Sequence, residues 1–426
     1  MSEVLAYTDT TESPPVVASR AKPSLYERLF MRGLADFKHG ALRLVMPDGS
    51  SRVLGNERAE ITAEIRICNR AAFFQRCALY GNIGLGEAYT EGEWETPSIS
   101  AVIAWFIGNI ARNPGLAGSS AKIRCMNVLK VINRIHHRLR PNSVKISRRN
   151  IAEHYDLGND FYRLWLDETM TYSAARFTHS EQTLEEAQHS KYDALCRKLR
   201  LKATDHVLEI GCGWGGFACH AAKNYGCKVT SVTISSEQYK YALERVGREG
   251  LSEQVEIRLQ DYRHITGQFD KIASIEMLEA VGNKYLETYF AKCAEVLKPH
   301  GLLAVQVITA PDSQHADMCK NVDWIQKHIF PGSLLLSVGR MNEAILRTGD
   351  LFLHELEDLG SGYARTLNMW WERFNARLQE VQELGFDERF IRKWNYYLQY
   401  CEAAFAERNI SVVQACYTRP NNLTLN

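Results

Sequence analysis

Between Thr96 and Ala152 the chain contains no Asp and no Glu, although acids and bases nearly balance over all 426 residues, 50 against 51. Arg112, Lys122, Arg124, Lys130, Arg134, Arg138, Arg140, Lys145, Arg148 and Arg149 all fall in that stretch. Near-neutrality excludes partner choice by overall charge, whereas a one-sign block points to an anionic surface. No C-x-x-C pair occurs among the eleven cysteines, and their number is odd. A disulfide scaffold is thereby disfavoured, and free thiols in a reducing compartment are expected. The 13 histidines lack metal-ligand spacing, so no metal is expected. No apolar run is long enough to span a membrane: "ISAVIAWFIGNI" is about a dozen residues against the ~20 needed. The opening "MSEVLAYTDTTESPP" is polar and acidic, unlike a signal peptide. Internal repeats and low-complexity tracts are lacking. A cytoplasmic protein, peripheral at the inner membrane surface, is the expectation.

What is present divides the chain into four parts. Residues 1–23, rich in Ser, Thr and Pro, are expected to be a disordered tail. Residues 24–120 read as a smaller N-terminal unit associated with lipid or membrane. In it "ALRLVMPDGSSRVLG" predicts a hairpin around Asp48-Gly49, "AEITAEIRIC" a strand, and "AAFFQRCALYGNIGLGEAYTEGEW" a helix followed by a glycine-rich turn. Residues 121–150 hold a basic amphipathic helix and a linker. Ile123, Met126, Ile132, Ile135 and Leu139 fall near one face, and Pro141 ends the helix. From 151 to 426 the period changes. "HVLEIGC", "CKVTSVTI", "VEIRLQ", "FDKIASIEML" and "LLAVQVI" read as short buried strands alternating with helices, the pattern of a doubly wound α/β sheet. Two long helices, Tyr363–Leu384 and Asp387–Glu407, and a last strand "SVVQACYT" complete it.

"VLEIGCGWGG" is strand, glycine turn, helix, a place where backbone approaches a nucleotide-type ligand. As Gly211, Gly213 and Gly216 it is a dinucleotide fingerprint. As Glu209-x-Gly211-x-Gly213 it is an S-adenosylmethionine turn, favoured because Glu209 can receive the cofactor's ammonium group. The next strand ends at Thr233 and not at the acid that would hold an NAD ribose. Asp261, after the third strand, can accept from an adenine amino group, with Tyr262 flanking the ring. Tyr155, Phe161, Tyr162, Trp165, Tyr172 and Phe177 crowd one segment, where aromatic faces serve either packing or attraction of a sulfonium or carbocation. Phe390, Trp394, Tyr397, Leu398, Cys401 and Phe405 form a helical stripe that is either core or the wall of a lipid tunnel. Cys401 has no nearby His in sequence and belongs to that wall, not to a nucleophile pair. "SIEMLEA" ends a buried strand on two carboxylates, Glu276 and Glu279, with no Lys or Arg before Lys284. A buried carboxylate without a cationic partner is costly, so the strand end is expected to open on a cleft that a cation enters.

Over roughly 151–419 the chain resembles the cyclopropane-fatty-acyl-phospholipid synthases and mycolic acid cyclopropane synthases. The resemblance rests on "HYDLGND", "TYS", "VLEIGCGWGG", "VTISSEQ", "QDYR", "FDKIASIEMLEAVG", "LKPHG", "IFPGS", "WWERF" and "YYLQYCEAAF". It implies a class I methyltransferase fold and adenosylmethionine-dependent methylation of the double bond of unsaturated acyl chains. The π electrons attack the methyl carbon, and the resulting cation loses a proton to bound bicarbonate as the ring closes. Phospholipid acyl chains are the implied substrate, an anionic membrane surface the implied partner, and a homodimer is compatible. Tyr172, Ser173, Gly211, Cys212, Gly213, Trp214, Gly215, Gly216, Thr233, Gln238, Asp261 and Tyr262 would hold the cofactor, and Tyr155 would sit near the reacting methyl. Glu279, Ile308 and Tyr363 match the bicarbonate pocket, whereas Ala174 stands for its usual Cys, Gln306 for a His, and Ala280 for the His after the glutamate. Glutamine can hydrogen-bond bicarbonate but cannot share its proton, and alanine keeps a backbone N–H. Of the two strand-end carboxylates, Glu279 is the one expected to face the cation.

Two other functions remain compatible with the sequence: an NAD-dependent oxidoreductase, and a lipid-binding protein without catalysis, suggested by Ala174, Ala280 and Gln306. Nucleic-acid binding by the basic block is not expected, because no base-stacking module accompanies it.

Overall fold

The computed structural model describes residues 22–112 and 157–425. The basic helix and linker of 121–150, residues 1–21 of the expected tail, and Tyr155 lie outside the described residues.

The hairpin predicted at Asp48-Gly49 joins β1 (Ala41–Val45) to β2 (Ser51–Gly55), and the Ser50 N–H caps the turn on the Asp48 carboxylate at 3.0 Å. β3 (Ile61–Ile67) runs parallel to β1, and β4 (Trp94–Glu95) completes a sheet of order β2-β1-β3-β4. The predicted glycine-rich turn is instead a second helix, Asn82–Thr90, after Arg70–Tyr80. Gly81, at φ 59°, makes the corner between them. Gly84 and Gly86 permit close packing: a Cβ on Gly84 would lie 2.2 Å from the Arg76 carbonyl oxygen, and one on Gly86 2.6 Å from Trp324 and Tyr396.

The second sheet contains β5 (His206–Ile210), β6 (Lys228–Thr233), β7 (Val255–Leu259), β8 (Phe269–Ile275), β9 (Leu297–Thr309), β10 (Phe352–Asp358) and β11 (Ser411–Thr418), ordered β10-β11-β9-β8-β5-β6-β7. β5 to β9 are mutually parallel, while β11 is antiparallel to β9 and to β10. The central strands are largely buried because helices cover both faces. β10 escaped the sequence pattern. Its side chains are mostly exposed at the sheet edge, so "FLHELED" carries no buried alternation. The helix expected over Tyr363–Leu384 breaks at Arg377 into Gly360–Ala376 and Leu378–Glu383, whereas Glu388–Ala406 is continuous.

The N-terminal unit is docked on this framework. Arg392 donates to the Tyr89 and Trp94 carbonyls, and Gln399 accepts the Ile99 N–H at 2.9 Å. Lys327 and His328 both meet Glu87, at 2.6 and 2.9 Å. One hydrophobic core therefore runs from Phe73 and Trp94 through Tyr396 to Trp165 and Trp370. In the large sheet the strand order reverses at β5, with β6 on one side and β8 on the other. A crevice is thereby created above the carboxyl ends of β5 and β8, the usual ligand position in such sheets.

Candidate active site

The turn after β5 begins with Gly211 at φ 95° and continues through Gly213 at 49° and Gly215 at 82°, before the helix Gly216–Tyr225. A Cβ on Gly213 would meet nothing within 4 Å, so backbone here faces open space that a ligand can fill. Gly216 has a different reason: its Cβ would collide with the Tyr192 hydroxyl at 2.4 Å. Glu209 is buried at the end of β5 and accepts from the Ser231 hydroxyl. Burial pushes its carboxyl up to about 8, against that hydrogen bond and the charge of Lys191. At the end of β6, Thr233 donates to Gln238 at 2.9 Å. Asp261 is nearly enclosed and accepts three bonds from Arg263, its N–H, Nε and Nη2, at 3.0, 2.8 and 2.7 Å. Burial raises its carboxyl, but Arg263 outweighs that and holds it low. A carboxylate has about four acceptor positions, so one remains for an adenine amino group. These groups suit a zwitterionic nucleoside ligand.

Glu276 follows β8 in a left-handed conformation, φ 46°, which for a residue with a side chain costs ~1–2 kcal/mol. The register of β8 on β9 explains what it meets. Ile275 pairs with Gln306, the Glu276 N–H donates to the Gln306 carbonyl at 2.7 Å, and the side chain turns towards Gln306. Glu276 Oε1 accepts from the Ala174 N–H and Gln306 Nε2, both at 2.8 Å, and Oε2 accepts from the Tyr363 hydroxyl at 2.8 Å. Glu279 Oε1 accepts the Ile308 N–H at 2.6 Å, while its buried Oε2 has no hydrogen-bond partner among the described residues. Burial and then the Glu276 charge push Glu279 up to about 8. Burial raises Glu276 too, opposed by its donors and by Lys191. With three donors against one, Glu276 keeps the charge of the pair.

One cavity of about 1050 Å³ joins both halves. Tyr172, Ser173, Glu209, Gly211, Cys212, Gly213, Trp214, Gly216, Thr233, Gln238, Asp261 and Tyr262 line it, as do Glu276, Glu279, Ile308, Tyr363 and Cys401. Tyr172 bonds Tyr397 at 2.8 Å and packs on Trp165 and Trp370, which hold its ring in place. Burial drives the Cys401 thiol far up, so it stays protonated as a wall residue. Gly215 and Ala174 do not reach the cavity. Gln306 corrects the expectation that it faces a bicarbonate. It is fully buried, Nε2 also donates to the Ala174 carbonyl at 3.1 Å, and its Oε1 accepts from Gln414 at 3.0 Å.

The sequence pattern of mycolic acid cyclopropane synthetases matches residues 142–415, spanning the glycine turn, both carboxylates and Tyr363. The chain belongs to the cyclopropane synthase family. Across the family, a tuberculostearic acid methyltransferase of Mycobacterium tuberculosis is 38% identical over 88% of this chain and 87% of its own. A cyclopropane-fatty-acyl-phospholipid synthase of Escherichia coli K12 is 39% identical over 84% of this chain and 88% of its own. The solved mycolic acid cyclopropane synthase CmaA1, complexed with SAH and CTAB, is 28% identical with a TM-score of 0.59, covering 64% of this chain and 98% of its own. The protein is thus an adenosylmethionine-dependent fatty-acid or lipid methyltransferase with the class I fold.

Sequence reasoning missed two features of this cyclopropane synthase homologue. Among the described residues a cation near its carboxylates is Lys191, fully buried on the helix Leu184–Lys198, with Nζ 2.7 Å from the Ser173 hydroxyl. Burial pulls it down to about 7, although Glu276, Asp167 and Glu209 all favour its charge. "HSKYDAL" gives no sign of this, because only the fold brings the helix behind β5 and β8. Glu276 was the other: its three donors come from separate segments. With Glu209 as the ammonium's partner, adenosylhomocysteine should bind more tightly as pH rises, by up to about tenfold per unit, and level off near 8. Binding then releases a proton, measurable by calorimetry in buffers of different ionisation enthalpy. Affinity independent of pH below 8 would remove Glu209 from that role.

Proposed function

We propose that the protein methylates the double bond of unsaturated acyl chains in membrane phospholipids and closes the product to a cyclopropane. The carrying observation is the continuity of the cavity. Its lining includes the glycine turn, Glu276 and Glu279 together with Leu367, Tyr397, Ala404 and Phe405, and also Leu79 and Ile83 of the N-terminal unit. That volume exceeds what a nucleoside cofactor needs, and the second half has the apolar, aromatic lining that suits an acyl chain. Bound adenosylmethionine supplies an electrophilic methyl carbon whose bonding pair leaves with sulfur. The protein's part is to hold the alkene against that carbon, exclude water with the Tyr172 ring backed by Trp165 and Trp370, and place negative charge beside the cation that develops.

The N-terminal unit and the basic stretch from Arg112 to Arg149 would bring this cavity to an anionic bilayer. Each basic residue near such a surface contributes about 1 kcal/mol, screened by salt. Co-sedimentation with anionic vesicles should therefore fall as salt rises, and neutralising Lys130, Arg134, Arg138 and Arg140 together should reduce it with cofactor affinity unchanged. Sedimentation indifferent to both would assign the basic block elsewhere.

A methyl- or methylene-branched product is the second reading, favoured by one observation. Among the described residues no imidazole stands beside the two carboxylates, where Ala280 and the enclosed Gln306 occupy the positions at which histidine was expected. Gas chromatography with mass detection of acyl esters, after expression in a host lacking such enzymes, separates these products. Acyl chains one CH2 heavier are expected. An unchanged lipid profile, with adenosylhomocysteine still bound, would overturn the proposal.

A further inference from the structure

Of the groups that the family resemblance assigns to a bicarbonate, the N–H and hydroxyl donors are all engaged by the protein's own carboxylates. The Ala174 N–H, the Gln306 amide and the Tyr363 hydroxyl converge on Glu276, and the Ile308 N–H is taken by Glu279. Gln306 has both amide hydrogens and its oxygen in use, with Gln414 behind it. Only the bare Oε2 of Glu279 remains. With every N–H and hydroxyl donor of the set spent on Glu276 and Glu279, no cradle is left for a second small oxyanion, so bicarbonate does not fit.

We propose that Glu276 is the oxyanion of the reacting centre, filling that cradle permanently and taking the proton that the methylated acyl chain must lose. The proposal rests on the methylation of an acyl double bond put forward above. Once the alkene has accepted the methyl group, one former alkene carbon is cationic. The pair of a methyl C–H bond closes the ring, or the pair of a neighbouring C–H bond restores a double bond, and in either case a proton is released. Glu276 lines the cavity and has three of its roughly four acceptor positions filled, which leaves one on Oε2 for that proton. The resulting carboxylic acid returns the proton to water when the product leaves. Ala174, Gln306, Gln414 and Tyr363 are positioning residues that hold the carboxylate in one rotamer. The left-handed backbone at Glu276 fits this role, since strain of that kind persists only where surrounding contacts enforce it.

The test empties the cradle. Glu276→Gly relieves the positive φ, so the fold should be retained, and it frees three donors around a space the size of a small oxyanion. With 13C-labelled bicarbonate as probe, NMR should detect bound anion in Glu276→Gly and none in the wild type. Wild-type turnover should be the same in CO2-free buffer and with added bicarbonate. Turnover of the variant should fall by about 10²–10⁴-fold, as for loss of a general base, and recover in part with bicarbonate or formate. Glu276→Gln, which keeps the volume, should be as slow and show no rescue, and it serves if the glycine variant does not fold. Bicarbonate bound to the wild type, a wild-type rate that falls without CO2, or full activity in Glu276→Gln would each overturn the proposal. A wild type that methylates no acyl phospholipid would instead overturn the function, and the binding comparison would still decide what fills the cradle.

Discussion

Glu279→Gln should lower kcat/KM for the lipid by about 10²–10³-fold at a pH above 8, the loss typical of one preorganised electrostatic group. The substitution keeps the size of the side chain and an acceptor for the Ile308 N–H, so the change is one of charge. The deficit should shrink as pH falls. Burial and the neighbouring Glu276 raise the Glu279 carboxyl to about 8, so below that pH the wild type increasingly holds the neutral acid that the amide mimics. A bound sulfonium stabilises the carboxylate and moves the midpoint below 8, never above. The wild-type profile, taken at saturating adenosylmethionine, should therefore rise with pH and level off, and that limb should be missing in the variant. A constant ratio of the two rates across the profile would show that Glu279 acts through structure and not through its charge.

Trp370→Ala should destabilise the protein by about 3–5 kcal/mol, the range for removing a buried tryptophan whose site cannot collapse. Trp370 is fully buried on the helix Gly360–Ala376, edge-on to Trp165 at 5.5 Å and in contact with the rings of Tyr172 and Tyr363. Its loss also removes the support of Tyr172 and Tyr363, so turnover should fall further than cofactor affinity, for which only Tyr172 of the two is expected to matter. Denaturant unfolding gives the first quantity, and adenosylhomocysteine titration beside a lipid assay gives the second. An unfolding midpoint within error of the wild type would mean that the aromatic cluster repacks around the hole.

Local chemistry explains which parts of this arrangement were legible beforehand. The β5 turn was readable because φ values of 95°, 49° and 82° demand glycine at Gly211, Gly213 and Gly215, and an acid two residues earlier narrows the ligand. The parallel strands were readable because short, β-branched-rich segments such as "HVLEI" and "KVTSVT" alternate with helical stretches. The helix Asn82–Thr90 was misread for the same kind of reason: Gly84 and Gly86 resemble turn residues, and only the neighbouring Arg76 backbone, Trp324 and Tyr396 reveal them as contact points. Glu279 was singled out because it matches the glutamate of the family's pocket. Glu276, three residues earlier and equally visible, could not be ranked, because the groups that distinguish the two are remote in sequence.

By itself, then, the sequence determined the alternation of strands and helices, the nucleotide-type turn with Glu209, and the family to which they belong. Each depends on backbone conformation or burial within a few residues, where side-chain type and chain geometry are directly coupled. Only the tertiary structure decided how the two strand-end carboxylates differ. The register of β8, β9 and β11 sets Ile275, Gln306 and Gln414 in one row with Glu276 next in the chain, while Ala174, Tyr363 and Lys191 arrive from three other segments. Hydrogen bonding and charge act through space over a few ångströms, so the ionisation of a buried carboxylate is set by neighbours that chain order does not reveal.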